Sequence, residues 1–340
     1  MLAYLNHRNP AAQNIEISDL HRIPGGASRE TYALTAEWTE GGNDVRRPMI
    51  FRRDPTTGLI ETERDIEFAA YQAFYGSGIP VPEPLYLETE TEWLDRPFFV
   101  MERIVGGEVA SPFALDPYGA HAPSLGEQFW TFLGSIARNT SAVDTLSDVL
   151  EPVAPAECWR RELDYWEGEI LAHELEPQPL AQAAIRWLRK NPPPTPDQLV
   201  IVHGDYRTGN FLHDSAGKIL AILDWEMVHL GDPHEDLAWG MDPIWCWFKK
   251  DHPGLMIPRA ETIATWEKAS GLRVNPDALQ WWEVFSHVKG LAIWITASDT
   301  YRNSSNKDAT LAFSSLICTD LHNQILAQKL PGLLGLEVGA

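Results

Sequence analysis

One short segment carries the residue types that phosphoryl transfer requires. Val200–Glu226 reads VIVHGDYRTGNFLHDSAGKILAILDWE: Asp205 follows His203 and Gly204, Asn210 lies five residues later, and Asp224 closes a second apolar run. A carboxylate such as Asp205 can orient an attacking hydroxyl and accept its proton. An amide oxygen (Asn210) and a second carboxylate (Asp224) can hold Mg²⁺ against nucleotide phosphates. Glu226, two residues further along extended backbone, can point the same way as a third ligand. His203 and Arg207 flank Asp205 and complete the candidate catalytic set. The same side chains could instead ligate the ion of a metal-dependent hydrolase. Such a site normally draws on more His or Asp residues, and the upstream features below would then be unrelated to it.

These residues need elements to position them. The apolar runs 199–202 and 219–223 read as strands on either side of the segment. Upstream, RETYALTAEW (29–38) and RPMIFRRD (47–54) are rich in β-branched and aromatic residues, and GGND at 41–44 makes a hairpin turn between them. IPGGASRETY places Gly25, Gly26 and Ser28 before a strand, where exposed N–H groups can cradle a phosphate. Arg52 and Arg53 are adjacent on one strand, so alternation sends only one of them towards a nucleotide. Residues 61–74 read as a helix, and Glu67, or Glu63 one turn earlier, can pair with that arginine. PFFVMERI (97–104) is a buried strand. Beyond it, 111–124 is a loop, helices follow near 124–140, 155–172 and 178–190, and helix starts fall at Asp232-Pro233, Pro258 and Asn275-Pro276.

Composition excludes several alternatives. The chain has 340 residues, which suits about two lobes. Lys+Arg number 27 against Asp+Glu 48, a net charge of −21, which weighs against a nucleic-acid or anionic-lipid partner. No lysine precedes Lys190, so the first lobe carries its positive charge only as arginine. Three cysteines (Cys158, Cys246, Cys318) are too few and too dispersed for a disulfide framework. No run of ~20 apolar residues occurs, and the most apolar stretch, 281–297, is broken by Glu283, His287 and Lys289. The first residues lack the pattern of a secretory signal, so a soluble, cytoplasmic protein is expected. Fourteen tryptophans must be largely core, with an aromatic-lined pocket as a second use.

HGDYRTGN, AILDWE and GDPHEDLAW resemble the aminoglycoside phosphotransferase-like kinase family, which includes choline, fructosamine and homoserine kinases. The spacing H-x-D-x-x-x-x-N is that of the kinase catalytic loop, with Gly204 where protein kinases carry arginine. Closer still is the subgroup associated with acyl-CoA dehydrogenases, which is similar in its GG-x-S loop, its arginine-pair strand (here FRRDP), its proline turn (here IPVP, 79–82) and a WL segment ahead of a proline run (here 187–188). The resemblance runs from about Gly25 to Trp239. It implies an α+β, protein-kinase-like bilobal fold: a strand-rich nucleotide-binding lobe at 1–105 and a larger, mainly helical catalytic and substrate lobe at 106–340. ATP would sit between them, with adenine on backbone groups of the connector at Met101, Glu102 and Ile104. By position, Asp205 resembles the catalytic base, Asn210 and Asp224 the Mg²⁺ ligands, Arg52 the phosphate-binding cation and Asp236 the residue that braces the catalytic loop. The departure is the missing first-lobe lysine, which arginine can replace because it stays charged and grips two oxygens. Arg29 is a second candidate for that task. The expected activity is an ATP- and Mg²⁺-dependent kinase acting on a hydroxyl of a small molecule, such as a hydroxy-acyl compound or other apolar alcohol. An aminoglycoside kinase and an inactive, pseudokinase-like nucleotide binder are the alternatives.

Overall fold

The computed structural model describes residues 1–23, 30–54, 64–304 and 307–336. The glycine-rich candidates Gly25, Gly26 and Ser28, with Arg29 and Glu63, lie outside the described residues.

The first lobe is built on β1 (Gln13–Ile23), β2 (Glu30–Glu40), β3 (Asn43–Arg53), β4 (Pro84–Glu88) and β5 (Phe98–Glu102). They form one antiparallel sheet in the order β1-β2-β3-β5-β4. The β2–β3 hairpin turns on Gly41 and Gly42, with φ of +56° and +83°. Two successive left-handed residues are what a two-residue hairpin turn demands, and glycine supplies them without a Cβ clash.

Strand alternation gives the sheet two faces. Leu34, Phe51, Phe98 and Val100 pack on Tyr4 and Leu5 of α1 (Leu2–Arg8). Ala33, Ile50, Phe99 and Met101 pack on Phe68 and Tyr71 of α2 (Arg64–Phe74). By that parity Arg52 shares the face of Ile50 and α2, and Arg53 the opposite face. The sequence reading expects one helix in this lobe; α1 is a second. Only Tyr4 and Leu5 of its seven residues are buried, too few to show a helical period. The first strand, β1, is mostly exposed and alternates weakly for the same reason.

Helices dominate the remainder: α3 (Ala122–Arg138), α4 (Thr140–Leu146), α5 (Cys158–His173) and α6 (Pro179–Lys190) precede the functional segment. Then come β6 (Val200–Val202), β7 (Phe211–His213), β8 (Ile219–Ile222) and β9 (His229–Gly231), paired as two antiparallel ribbons, β6–β9 and β7–β8. The chain continues through α7 (His234–Gly240), α8 (Arg259–Ser270), α9 (Pro276–Asn303), α10 (Ala309–Phe313) and α11 (Thr319–Leu333). The expected start at Asp232-Pro233 is displaced by one residue. Asp232 accepts the His234 N–H at 2.8 Å, and helical geometry begins at His234. Asn275 caps α9 as expected, accepting the Asp277 N–H at 3.0 Å. This 28-residue helix is buried on nearly every side, packing on α5, α6, α7 and α11. Trp38, Trp130, Trp159, Trp166, Trp225, Trp239, Trp245, Trp266, Trp281 and Trp282 are buried, so ten of the fourteen tryptophans are core.

Candidate active site

β6 and β7 deliver the candidate segment 203–210 between them. Gly204 turns the chain with φ +84°, and a Cβ built there would lie 2.3 Å from the Met227 carbonyl oxygen, so only glycine fits. Asp236, at the start of α7, accepts the backbone N–H of His203 (2.6 Å) and of Gly204 (3.0 Å). Burial, and Glu235 beside it, push the Asp236 carboxyl up to about 6. His203 is fully buried; its Nδ1 accepts the Asp205 N–H at 3.1 Å and its Nε2 lies 2.9 Å from the Leu223 carbonyl. Those partners make it a neutral imidazole carrying its proton on Nε2, and burial lowers its pKa to about 4. Both ring nitrogens are thus committed inside the protein, so the hydrolase reading loses one of its four ligands.

Asp205 itself is held by three side chains. Trp239 Nε1 donates to Oδ1 at 2.8 Å, Asn210 Nδ2 donates to Oδ2 at 2.6 Å, and Arg207 Nε reaches both oxygens at 2.9 and 3.1 Å. Arg207 in turn lies over the Trp245 ring, 4.6 Å from its centroid. Because the Asn210 nitrogen faces Asp205, its amide oxygen is the atom left for a cation. The Asn210 carbonyl accepts the Leu223 N–H at 2.8 Å, which brings Asn210 alongside Asp224.

Asp224 adopts φ +68°, a left-handed conformation that costs about 1–2 kcal/mol for a non-glycine residue. Its N–H donates to the Tyr71 hydroxyl of α2 at 3.0 Å, which helps hold the turn. The carboxylate then meets the other lobe. Arg52 Nη2 lies 3.0 Å from Asp224 and 3.6 Å from Glu226, and Nη1 bonds Glu67. Burial opposes the charge on Arg52, but Glu67, then Asp224 and Glu226, outweigh it and keep the guanidinium ionised. For Asp224, burial raises and Arg52 and Arg207 lower the pKa; the net direction is down. Three carboxylates meet this one guanidinium. Asp224 and Glu226, with the amide of Asn210 on the neighbouring segment, offer hard oxygen donors of the kind that suit a divalent cation such as Mg²⁺.

The remaining sequence candidates fall as follows. Arg53 points to the opposite face and bonds Glu30, Nε donating at 3.0 Å. Met101 is buried in the sheet core. The Glu102 N–H bonds the Glu83 carbonyl at 2.9 Å, and the chain leaves the sheet through Ile104.

A cavity of about 470 Å³ opens beside Glu226 and His229. Tyr165, Trp166, Met227 and Val228 supply much of its wall, and Lys289 reaches it from α9. Sequence reasoning missed Tyr71 and Lys289 as contributors, and for Trp239, expected near the cleft with core packing as its main role, it missed the contact to Asp205. Trp239 reads as core, and it is core, yet its indole N–H donates to Asp205. Tyr71 has no local signal, because its partner is 153 residues away. Lys289 did leave one: it interrupts the most apolar stretch of the chain.

A five-stranded antiparallel sheet over a helical body, with an acid-rich loop between them, defines a kinase-like phosphotransferase fold. The chain belongs to the phosphotransferase enzyme family, whose sequence profile matches residues 19–272. Mouse acyl-CoA dehydrogenase family member 10 is 28% identical over 225 residues; the match covers 65% of this chain and only 20% of that protein's length. A structure described as a putative aminoglycoside phosphotransferase from Ralstonia eutropha JMP134 superposes with a TM-score of 0.73 at 18% identity, covering 96% and 98% of the two chains. An aminoglycoside phosphotransferase in ternary complex with ADP and hygromycin B superposes at 0.52 with 13% identity, covering 100% and 99%. At these identities the structures establish the fold.

Proposed function

We propose that the protein is an ATP- and Mg²⁺-dependent kinase that transfers the γ-phosphoryl group to a hydroxyl of a small molecule. One observation carries the reading: Asn210 bonds Asp205, Arg52 bonds Asp224 from 172 residues away, and the Leu223 N–H to Asn210 carbonyl bond sets the two pairs side by side. Related folds crystallised with ADP support the nucleotide. ATP would lie between a lobe formed by 1–105 and one formed by 106–340, with adenine against the 101–104 connector and the protein acting in the cytoplasm. Asn210, Asp224 and Glu226 would hold Mg²⁺, which would supply charge neutralisation at the phosphates. Arg52 grips phosphate oxygens and is itself aimed by Glu67. Asp205 orients the acceptor hydroxyl and takes its proton. Arg207 is the exchangeable member of the Asp205 shell: its side chain is 23% exposed, whereas Trp239 and Asn210 are buried. His203 and Asp236 hold the loop.

The apolar wall of the cavity beside Glu226 favours an acceptor with a hydrocarbon body, such as a hydroxy-acyl compound. The aminoglycoside alternative rests on the net charge of −21 and would need a cationic acceptor. ADP release measured across hydroxy acids, hydroxyacyl-CoA esters, choline, sugars and aminoglycosides tests these readings together. If Mg-ATP binds but no acceptor raises ADP release above an Asp205→Asn control, the protein is a nucleotide binder without transfer activity.

A further inference from the structure

We propose that Lys289 is a positioning residue for Asp205, acting through the Gly204–Asp205 peptide; the inference rests on the phosphotransfer reading above. An ammonium inside an apolar helix is costly unless its hydrogens are bonded. Lys289 is 1% exposed, and Nζ donates to the Gly204 carbonyl oxygen at 2.7 Å and lies 3.4 Å from Glu235 Oε1. Glu235 is held from its other side by His229 at 3.1 Å, and His229 lies 3.6 Å from Glu162.

The carbonyl it grips is the informative one. The other end of the same peptide, the Asp205 N–H, is bonded to His203 Nδ1 at 3.1 Å. The peptide before the base is therefore fixed at both its oxygen and its nitrogen. Gly204 needs this, because a glycine at positive φ leaves the adjoining peptide free to flip. Asp236 secures the two preceding N–H groups but touches no carbonyl of the turn. Lys289 also acts on the side chain of the base indirectly. Its Nζ sits 5.1 Å from the Trp239 ring centroid, and the Trp239 indole N–H donates to Asp205. One buried cation thus orients both the backbone and the carboxylate of Asp205, and it does so from the wall of the 470 Å³ cavity.

Lys289→Met keeps the apolar stem and removes the ammonium. Two readouts on the full chain decide the inference: amide hydrogen exchange across 203–210, and Mg-ATP turnover with the best acceptor, split into kcat and KM for ATP. Exchange in the loop should accelerate, and kcat should fall about 100-fold, as for a misplaced catalytic group. KM for ATP should stay within about twofold, because Arg52, Asn210 and Asp224 are untouched. Unchanged exchange, or a kcat within threefold of wild type in the folded variant, overturns the proposal. If Lys289→Met does not unfold cooperatively, Lys289→Met/Glu235→Gln, which strands no carboxylate, is read by the same two criteria. A wild-type protein without Mg-ATP turnover would sink the kinase reading, and the exchange measurement would still decide whether Lys289 fixes the loop.

Discussion

The two walls of the cleft are built on opposite principles. On the Asp205 side, directional hydrogen bonds from buried groups fix each atom: Asp236 and His203 hold the backbone, Trp239 and Asn210 the carboxylate. On the Arg52 side there is a knot of charge, in which one guanidinium serves Glu67, Asp224 and Glu226. Hydrogen-bonded geometry has one good arrangement, whereas a charge knot tolerates exchange of one cation for another. The contrast assigns geometry to the loop wall and charge compensation to the strand wall. It also explains how a first lobe without lysine can serve. Arginine offers a fork that reaches an acid on its own lobe and two on the other.

Breaking the geometric wall should have the largest effect. Asp205→Asn retains the shape but removes the carboxylate proposed as base, and transfer should fall by about 10²–10⁴ with nucleotide affinity preserved, read by ADP release and calorimetric titration. Breaking the charge wall should act differently. Arg52→Ala leaves Glu67 buried without this partner, which should destabilise the fold by about 3–5 kcal/mol in denaturant unfolding. Phosphoryl transfer should drop at least about tenfold, equivalent to 1.4 kcal/mol. Mg²⁺ should nevertheless bind more tightly to this variant, since Asp224 and Glu226 lose a competing cation. Weaker Mg²⁺ binding after Arg52→Ala would contradict the idea of exchangeable charge.

This contrast also sorts what could be read from sequence. The architecture was legible because strand alternation and helical spacing are local, and the HGD, DWE and HEDLAW segments are contiguous. The choice of Arg52 over Arg53 needed the sheet: alternation says that only one faces inward, and packing of Ile50 on α2 says which. The Gly25–Ser28 loop lies outside the described residues. Tyr71, Trp239 and Lys289 were hidden because their partners are far away in sequence. Their residue types say only that they are large or charged. Of the polar residues that interrupt the apolar stretch of α9, Lys289 meets the Gly204 turn, while His287 and Glu283 belong to a separate network through Asp242 and Lys329.

A smaller effect should expose the His229 support beneath the loop wall. Burial works against protonating His229, but Glu162 and Glu235 outweigh it and raise its pKa to about 9. A histidine raised in the folded state contributes stability that is complete below about pH 6.5 and lost as pH rises through 9. The contribution is about 3 kcal/mol at most, since each pKa unit is worth 1.36 kcal/mol. Unfolding free energy should therefore decline between pH 6.5 and 9 in the wild type, and His229→Gln should flatten that decline. Parallel pH curves for the two proteins would remove His229 from the network.

The last test concerns two clusters whose ligand atoms lie close enough for a metal ion: Asp242–His287–His322 and Glu162–His229–Glu235. Spacing alone would make both metal sites, but the donors around them argue otherwise. Trp294 Nε1 donates to His322 Nδ1 at 2.8 Å, and Lys329 Nζ approaches His287 Nε2 at 3.4 Å. Each far-side nitrogen is therefore an acceptor, which puts the proton of the neutral ring on the near side, facing Asp242. A nitrogen that carries a proton has no lone pair for a metal. In the second cluster Arg161 and Lys289 already stand beside Glu162 and Glu235, so the carboxylates have their cations. Excess Zn²⁺ should leave the unfolding temperature unchanged, in contrast to Mg²⁺ with nucleotide, which should raise it through Asn210 and Asp224. A rise with Zn²⁺ that disappears in His322→Gln would mean that Trp294 yields its bond and that the Asp242 cluster is a true metal site.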